Sequence, residues 1–460
     1  MTVGSRTAAS WRDAETRPYW LDSPRRPAPR PPLGASTATE LAVVGGGFSG
    51  LWTALMAKER DPARDVLLVE GARIGWAASG RNGGFCDASL THGKINGREK
   101  FPNEYDTLHR LGLENLAELE KTVTEYGIDC DFHRSSTIGV ATRPYQVEML
   151  KASSLPGVLD RDQIRAEVDS PTYLGGIVQD EGKALVDPAG LAWGLADAAE
   201  RLGVRIVEDT PVTGLRRRGQ HMVVDTPGGE IHTRHVALGT NAFPSLLKRN
   251  ALATIPVYDY ALMTEPLSAE QMAAVGWRNR QGMSDLANQF HYYRLTADNR
   301  ILWGGYDAIY NFGGRVRRHH DQRPETFTKL AEHFFTTFPQ LEGLSFSHRW
   351  GGAIDTCSRF CAFYGTAYSG QVAYALGYTG LGVGATRFGA NVMLDLLAGT
   401  PTERTSLRLT TTRPVPFPPE PIAWAAIQAT RLSLNRADDN EGRRNLWLRT
   451  LDRFGVGFDS

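Results

Sequence analysis

The stretch that most constrains the fold is VVGGGFSGLWTA, residues 43–54, where a glycine run separates an apolar strand pattern from an apolar helix pattern. Gly45, Gly47 and Gly50 form G-x-G-x-x-G. The first glycine permits a tight turn, the second lets the backbone approach a pyrophosphate, and the third lets helix and strand pack closely. The helix N-terminus would offer unpaired N–H groups to the phosphates, so the stretch predicts a phosphate-binding βα unit.

An acid at the end of the next apolar run supports this interpretation. The run DVLLVE ends at Glu70, twenty positions beyond Gly50, where a ribose-binding carboxylate is expected. Glu70 would accept hydrogen bonds from the ribose hydroxyls of an adenosine and would repel a 2′-phosphate. A glycine-rich turn between a strand and a helix can also occur in a protein that binds no ligand there. The dinucleotide hypothesis therefore rests on the strand, the glycines, the helix and the acid occurring in this order.

The composition narrows the classes of partner. The 460-residue chain is too long for one ordinary core, so at least two domains are expected. Its 51 basic and 51 acidic residues cancel, which argues against nucleic acid or an anionic membrane as a partner and favours a small molecule.

No apolar run approaches ~18 residues, so we expect no transmembrane segment. The first 36 residues lack the apolar core of a signal peptide, and we expect a cytoplasmic protein. The four cysteines match no metal-site spacing and are interpreted as reduced thiols, so no metal is expected.

The order of patterns along the chain predicts a discontinuous nucleotide-binding domain. It comprises residues 37–96, 185–245 and 341–402, since a second strand, glycine turn and helix pattern occurs at ALGYTGLGVGATRFGANVMLDLLAG. Residues 97–184 and 246–340 would form a substrate-binding domain, the latter segment as an antiparallel sheet. Residues 1–36, rich in proline and arginine, predict an extended arm, and residues 403–460 a proline-rich and helical C-terminal extension.

Two distant glycine turns favour FAD over NAD as the dinucleotide. A nicotinamide enzyme needs one Rossmann unit for its cofactor, whereas this chain adds a second turn and the glycine-rich loop AASGRNGG. An FAD lying across a sheet has its adenosine end at the first turn and its isoalloxazine ring further out, where extra backbone contacts are needed.

Several motifs together resemble the D-amino acid oxidase superfamily of flavoproteins. They are VVGGGFSGL, GWAASGRNGG, VDPAGLAWGLADAAERLGVRI, YYRLT, RWGGAIDT and GYTGLGVGATRFGA, and the chain is most similar to the glutamylputrescine-oxidase-like branch. The resemblance implies an α/β fold, with a Rossmann-like (glutathione-reductase-type) FAD-binding domain and an interleaved antiparallel α+β substrate domain. It also implies FAD-contacting residues in this chain: Gly45, Gly47, Phe48, Ser49, Gly50, Glu70, Arg73, Ser79, Arg81, Asn82, Gly83, Gly84, Val212, Gly380, Leu381, Gly382 and Val383.

The chemistry that the resemblance implies is hydride transfer from a C–H bond next to nitrogen to flavin N5, followed by hydrolysis of the imine to a carbonyl. The reacting amine must be neutral, which an apolar pocket favours by lowering its pKa. Aromatic side chains could surround the ammonium before it loses its proton. We expect the pocket to include Phe85, His291, Tyr293, Trp350, Asp355 and Tyr378, and assign no catalytic residue. Strand alternation places Tyr292 and Tyr293 on opposite faces, and a lone histidine such as His291 is more often only hydrogen-bonded than a base.

Departures from the family pattern bear on the substrate. Members that oxidise α-amino acids carry an arginine for the substrate carboxylate shortly after the Trp-x-Gly segment, where this chain has Ile354 or Asp355. An acid there favours a primary or secondary amine. Arg294, Arg349 and Arg359 remain available, so oxidation of an amino acid such as glycine, sarcosine or a D-amino acid is the alternative.

Other properties are left open by the sequence. The position of the flavin-linking cysteine of sarcosine oxidases falls near Gly351, so we expect non-covalent FAD. Molecular oxygen or another electron acceptor, and any oligomeric state, are compatible with the sequence. A flavin monooxygenase is disfavoured because its Gly-Asp-Ala segment is absent, and a tRNA-modifying enzyme because no basic cluster occurs. A flavin-binding electron-transfer protein would not need an aromatic pocket.

Overall fold

The computed structural model describes residues 3–453 of the chain. Its α-helices are α1 (Val3–Arg12), α2 (Phe48–Arg60), α3 (Lys94–Lys100), α4 (Tyr105–Tyr126), α5 (Pro144–Ser153), α6 (Arg161–Glu167), α7 (Pro188–Arg201), α8 (Ala269–Val275), α9 (Pro324–Thr337), α10 (Gly382–Ala398), α11 (Glu403–Ser406), α12 (Arg408–Thr411), α13 (Ile422–Asp439) and α14 (Leu446–Arg453). Its strands are β1 (Thr37–Val44), β2 (Val66–Val69), β3 (Phe85–Asp87), β4 (His133–Arg134), β5 (Thr137–Ala141), β6 (Val158–Leu159), β7 (Gly175–Gln179), β8 (Lys183–Leu185), β9 (Arg205–Val207), β10 (Gly214–Arg218), β11 (His221–Thr226), β12 (Gly229–Leu238), β13 (Ile255–Thr264), β14 (Gly282–Asp285), β15 (His291–Leu295), β16 (Ile301–Gly305), β17 (Ile309–Tyr310), β18 (Phe346–Thr356), β19 (Phe363–Ala367) and β20 (Val372–Leu376).

The first sheet is parallel at its centre. Its order is β10-β11-β12-β1-β2-β9, and β20 joins β12 in parallel and pairs with β19 in antiparallel fashion. The strands β1 and β2 are apolar at successive positions because both faces of this part of the sheet are covered. Helices α2, α7 and α10 pack together on one face. Since β1, β2, β12 and β20 run parallel, their carboxyl ends lie along one edge.

The second sheet has the order β17-β13-β16-β15-β14-β5-β7-β6, with β18 pairing along β13. All its pairings are antiparallel except β14 with β5. One face packs on the helices and loops of the first sheet, through residues such as Leu302 and Trp350. The other face, which includes Trp303, is covered by α1 and α9. The fold class expected from the sequence is confirmed: a Rossmann-like domain interleaved with a mostly antiparallel one.

A third, small antiparallel sheet, β3-β8-β4, lies next to the first glycine-rich loop. Helix α7 begins directly after it, where Asp187 caps the helix by accepting hydrogen bonds from the backbone N–H groups of Ala189 and Gly190. Pro188 occupies the first helical position, which needs no N–H donor.

The structure differs from the expected division of the chain in three places. Residues 3–12 of the expected extended arm form helix α1, which packs against α9 and β18 through Trp11. Residues 346–356, assigned from the sequence to the FAD-binding domain, form β18 of the second sheet. Helix α4, assigned to the substrate-binding domain, packs on α10 because its apolar stripe joins the core of the first sheet. In all three places, contacts with elements far away in sequence determine which domain the segment joins, and local sequence patterns do not predict such contacts.

The C-terminal extension contains α13 and α14 and contacts the second sheet. Asp438 accepts hydrogen bonds from the backbone and side-chain amides of Asn288, and Arg431 pairs with Asp307 over 2.7 Å. Residues 1–2 of the expected arm and 454–460 of the extension lie outside the described residues. None of the helices within residues 3–453 has both the length and the apolar character needed to cross a bilayer.

Candidate active site

The turn between β1 and α2 is closed by glycines that leave no room for side chains. Gly45 has a φ of 108°, and a Cβ there would lie 2.5 Å from the carbonyl oxygen of Gly239. A Cβ on Gly50 would collide with the carbonyl oxygen of Gly45. The Cβ position of Gly47, the residue before α2, lies 2.9 Å from Ser79 Oγ. The turn therefore presents bare backbone at the N-terminus of α2.

The first residues of α2 contact two other elements of the site. The backbone N–H of Phe48 donates to Ser79 Oγ over 2.9 Å. The hydroxyl oxygens of Ser49 and Tyr378 lie 3.3 Å apart. The Tyr378 side chain is buried between α2 and α10, since a Cβ on Gly389 would collide with its hydroxyl. The expectation that Tyr378 lines the substrate pocket is therefore wrong, because its ring fills the gap between the two helices.

Glu70 lies at the carboxyl end of β2, next to this turn. Its buried carboxylate accepts hydrogen bonds from the backbone N–H groups of Gly46 (2.6 Å) and Ala72 (2.8 Å) and from Trp76 Nε1 (2.9 Å). Burial raises the pKa of Glu70, and these three donors oppose the rise. A carboxylate accepts about four hydrogen bonds, so capacity for a ribose hydroxyl remains.

Two other residues implied by the resemblance lie near Glu70. Val212 is half-buried beside the core of the first sheet. Arg73 donates from Nε to Glu208 over 2.9 Å and from Nη2 to the carbonyl oxygen of Pro27 over 2.8 Å. Its guanidinium thus ties the N-terminal arm to the first sheet, and the cofactor contact expected for Arg73 stays a prediction.

The glycine-rich loop is held in shape by Asn82. Its side-chain amide donates to the carbonyl oxygens of Ala78 (3.0 Å) and Ser79 (3.1 Å), and its Oδ1 accepts from the N–H of Gly84 (2.8 Å). Its own carbonyl oxygen accepts from Trp20 Nε1 over 2.9 Å. The loop is therefore preorganised through the protein's own hydrogen bonds.

Arg81 connects this loop to the second sheet. Its Nη1 contacts Asp321 Oδ2 over 2.6 Å and the carbonyl oxygen of Gly351 over 3.0 Å, while Nε donates to the carbonyl oxygen of Trp76 over 2.9 Å. Trp350 Nε1 donates to the carbonyl oxygen of Arg81 over 2.8 Å. Trp350 is 1% exposed. It supports the loop from below and does not line an open pocket, contrary to our expectation.

The second glycine turn leads from β20 into α10. Asp355 is buried. Its carboxylate accepts from the N–H groups of Gly377 (2.5 Å) and Tyr378, and its backbone carbonyl oxygen accepts from the N–H of Thr379 (3.3 Å). Burial raises the pKa of Asp355 to about 7, against these donors. The expectation that Asp355 meets the substrate is therefore wrong, because its carboxylate is used to close this turn.

The residues that follow face open space. Gly380 has a φ of 91°, and a Cβ there would approach only His92 Nε2, at 3.9 Å. At Gly382, the first residue of α10, a Cβ would approach only Thr386, at 3.9 Å. The N-terminus of α10 therefore directs its positive end at a space bordered by backbone. Leu381 is half-buried beside it, whereas the Val383 side chain is buried in the core of the first sheet.

These three features fit an FAD molecule laid along the edge of the first sheet. The glycine turn and Glu70 suit the phosphates and the ribose of the adenosine half. The α10 N-terminus suits the pyrimidine side of a flavin ring, where negative charge develops on reduction. The loop with Gly83 and Gly84 runs between these two ends and packs on the second sheet.

The face of the second sheet below this loop carries Tyr292 and Asp259. The ring of Tyr292 lies against the loop, since a Cβ on Gly83 would be 2.7 Å from it. Phe85 packs edge-on against the same ring, with centroids 5.9 Å apart. Tyr292 donates to Asp259 Oδ2 over 2.6 Å. Tyr292, Asp259 and Phe85 are all half-buried, so this part of the sheet face borders accessible space.

His291 and Tyr293, which we expected in the pocket, lie on the opposite face of β15. Tyr293 is 1% exposed and its hydroxyl lies 2.7 Å from that of Tyr173. His291 lies between Asp285 (2.6 Å from Nδ1) and His333 (2.9 Å from Nε2). The expectation is wrong because strand alternation turns these two side chains toward α9 and Tyr292 toward the loop.

The three arginines that the sequence left available for a substrate carboxylate are engaged elsewhere. Arg294 donates to the carbonyl oxygen of Val186 over 2.7 Å and is buried. Arg349 stacks on Trp11 at 4.9 Å, on the far face of the second sheet. Arg359 donates to the carbonyl oxygens of Ala362, Leu409 and Thr412.

Asp259 was missed by the sequence reasoning, although a signal was present. It is the acid in the segment YDYALM, within an otherwise apolar and aromatic strand. An acid in the middle of a buried strand costs free energy unless it is paired, and this indicates a functional or structural partner. Which face of β13 is turned toward the loop decides where the side chain of Asp259 points. This depends on pairings with distant strands and cannot be predicted from the local sequence.

The chain is similar in sequence and in fold to known FAD-dependent oxidoreductases. Residues 40–396 match the model of the family described as DAO, FAD dependent oxidoreductase. Gamma-glutamylputrescine oxidoreductase of Escherichia coli (strain K12) is 31% identical over 405 residues, covering 84% of this chain and 89% of that protein. A probable oxidoreductase, OrdL, of Haemophilus influenzae is 28% identical over 406 residues, covering 83% and 88%. The crystal structure of glycine oxidase from Geobacillus kaustophilus has a TM-score of 0.67 at 20% identity, covering 82% of this chain and 99% of that one.

Proposed function

The chain belongs to the DAO family of FAD-dependent oxidoreductases, and from this premise we propose that it oxidises the C–N bond of a primary or secondary amine. Family membership confirms the resemblance stated from the sequence and the FAD cofactor that it implied. The similarity to gamma-glutamylputrescine oxidoreductase, at 31% identity, supports an amine substrate. Bound FAD would supply an acceptor for a hydride from the carbon next to nitrogen, and water would hydrolyse the resulting imine to a carbonyl.

The observation that carries the proposal is the engagement of Arg294, Arg349 and Arg359 by other groups. An α-amino acid substrate needs a cation for its carboxylate, and arginine provides one through its bidentate fork. Each of these three guanidiniums donates to backbone carbonyls or stacks on a core ring. Arg81, which borders the site, is paired with Asp321. The half-buried groups on the sheet face are instead a phenol, a benzyl ring and a carboxylate.

The chain's own residues would act by positioning the amine and excluding water. An alkylamine has an ordinary pKa of about 10.4, and transfer into a site walled by Phe85 and Tyr292 favours its neutral form. The hydrogen bonds of Asn82 and Arg81 hold the glycine-rich loop in place. The loop would in turn keep this face of the second sheet at a constant distance from the bound cofactor. The electrons would pass on to molecular oxygen or to another acceptor.

The test is anaerobic reduction of the flavin by matched pairs of compounds. Each pair consists of an amine and its α-carboxylated counterpart, such as butylamine with 2-aminopentanoate and dimethylamine with sarcosine. We expect the amines to bleach the oxidised-flavin bands at least tenfold faster at equal concentration. Bleaching by the carboxylated set alone would move the function to amino-acid oxidation, and a protein that cannot be reconstituted with FAD would exclude both.

A further inference from the structure

The carboxylate of the half-buried Asp259 has no cation in contact with it. Its oxygens accept hydrogen bonds from Tyr292 Oη (2.6 Å), from the N–H of Tyr260 (2.7 Å) and from the N–H of Gly305. These three donors are neutral. Among the side chains that the structure describes, no arginine, lysine or histidine lies within 4.0 Å of this carboxylate in the way that Arg81 lies beside Asp321. His291 favours the charged carboxylate only through its charge, without contact.

Two other acids of the second domain are paired with arginines, whereas the buried Asp355 on β18 accepts only from backbone N–H groups. Asp321 contacts Arg81 over 2.6 Å, and Asp307 contacts both Arg323 (2.6 Å) and Arg431 (2.7 Å). Buried acids in proteins are ordinarily paired or neutralised, because an isolated charge loses its hydration without compensation. Asp259 therefore lacks the partner that its neighbours have.

Asp259 is half-buried, and its hydrogen-bond partner Tyr292 lies against the loop that contains Gly83. The register partner of Asp259 on β18 is Gly352, which has no side chain to cover the carboxylate. A Cβ on Gly352 would lie 3.5 Å from the Arg81 side chain, so the loop packs directly on the sheet at this position. Gly83 packs directly on the ring of Tyr292, next to Asp259. A ligand that contacts Asp259 therefore lies on the sheet face next to this loop.

We infer that Asp259, oriented by Tyr292, binds a second, non-reacting ammonium group of the substrate, and that the enzyme prefers diamines to monoamines. This inference rests on the proposed amine-oxidising function. The reacting nitrogen must be neutral to lose a hydride from its neighbouring carbon, and a carboxylate in contact with it would keep it protonated. A nitrogen that stays charged throughout the reaction gains from the same contact. The substrate class is therefore an aliphatic dication with one amine at each end.

The main test compares diamines of three to six carbons with the monoamines of equal length, in wild-type holoenzyme and Asp259→Asn. Anaerobic flavin reduction gives the half-saturating concentration for each compound. We expect Asp259→Asn to raise this concentration at least tenfold for the preferred diamine and to change it less than twofold for the monoamines. Glu265→Gln, which neutralises an exposed acid directly after β13, is the matched control and should change neither value.

Two outcomes would overturn the assignment. Equal values in wild type and Asp259→Asn for every compound would mean that the carboxylate only holds Tyr292. An equal loss for diamines and monoamines would mean that it acts on the reacting nitrogen. Circular dichroism and bound FAD per chain check that the variant is folded, and Asp259→Glu, which keeps the charge, should retain part of the diamine preference.

A binding measurement separates this inference from the proposed function. Equilibrium dialysis of the diamines against oxidised holoenzyme under anaerobic conditions detects the ammonium contact without relying on turnover. Binding that is lost in Asp259→Asn would support the contact even if no amine reduced the flavin. An absence of diamine binding to the wild type at millimolar concentrations would overturn the inference while leaving monoamine oxidation intact.

Discussion

Trp350 donates a hydrogen bond from its indole Nε1 to the carbonyl oxygen of Arg81, over 2.8 Å. This contact joins β18 of the second sheet to the glycine-rich loop of the first domain. The indole is 1% exposed, so water cannot replace it as the donor. The two domains therefore meet at the loop that the sequence marked for cofactor binding, and the position of this loop depends on a side chain from the other sheet.

Trp350→Phe should weaken FAD binding, because it removes this donor and leaves the Arg81 carbonyl oxygen without it. A buried hydrogen bond contributes about 1 kcal/mol, so we expect roughly a fivefold rise in the FAD dissociation constant. Quenching of flavin fluorescence on titration into apoprotein measures it. Trp447→Phe is the matched control, since the Trp447 indole donates to Thr430 in the C-terminal extension. Equal FAD affinity in wild type and Trp350→Phe would show that the loop keeps its position without this donor.

Gly50→Ala should abolish FAD binding. The added Cβ would collide with the carbonyl oxygen of Gly45, so the turn between β1 and α2 has to open. We expect a colourless purified protein. Overpacking should also lower the free energy of unfolding by ~3 kcal/mol or more, which thermal unfolding measures. Gly34→Ala is the control, because no atom lies within 4 Å of its Cβ position. A yellow, stable Gly50→Ala variant would contradict the geometry of this turn.

Asp355→Asn should destabilise the turn that leads into α10. The carboxylate accepts from the N–H groups of Gly377 and Tyr378, whereas the amide nitrogen of an asparagine would direct its own N–H groups at one of these donors. We expect a loss of about 2 kcal/mol in the free energy of unfolding and weaker FAD binding. Urea unfolding with and without saturating FAD measures both. The exposed Asp439→Asn should change neither, and similar behaviour of the two variants would show that Asp355 is not needed for the turn.

Stability should depend on pH through Asp259. Burial raises the pKa of Asp259 to about 6 from an ordinary value of 3.8. The folded state therefore binds this proton more tightly than the unfolded state, and stability falls as the pH rises from about 4 to about 6. The largest contribution is about 3 kcal/mol at ~1.4 kcal/mol per pKa unit. Urea unfolding at saturating FAD should show wild type losing stability relative to Asp259→Asn between pH 4 and pH 7. A constant difference between them over this range would mean that the carboxyl titrates at its ordinary pKa.

Much of the cofactor edge could be predicted from local patterns. The first glycine turn, the acid Glu70 and the start of α10 each depend on a few consecutive residues, because turn geometry and helix starts are local properties. Asp355 shows where such prediction fails. Its chemistry favoured a substrate contact, yet the neighbouring turn uses all of its carboxylate for backbone N–H groups. The pairing of Arg73 with Glu208 could not be predicted from local patterns either, because Glu208 lies 135 positions further along the chain.

The sequence by itself determined that a strand, a glycine turn, a helix and an acid follow one another, and that Tyr292 and Tyr293 point to opposite faces of one strand. Only the tertiary structure decided which of these two faces meets the cofactor loop. It placed Tyr292 and Asp259 under Gly83 and Arg81, and buried Tyr293 against Tyr173. The physical reason is that strand alternation is a property of the chain, whereas the side of a sheet that another domain covers depends on pairings between residues far apart in sequence.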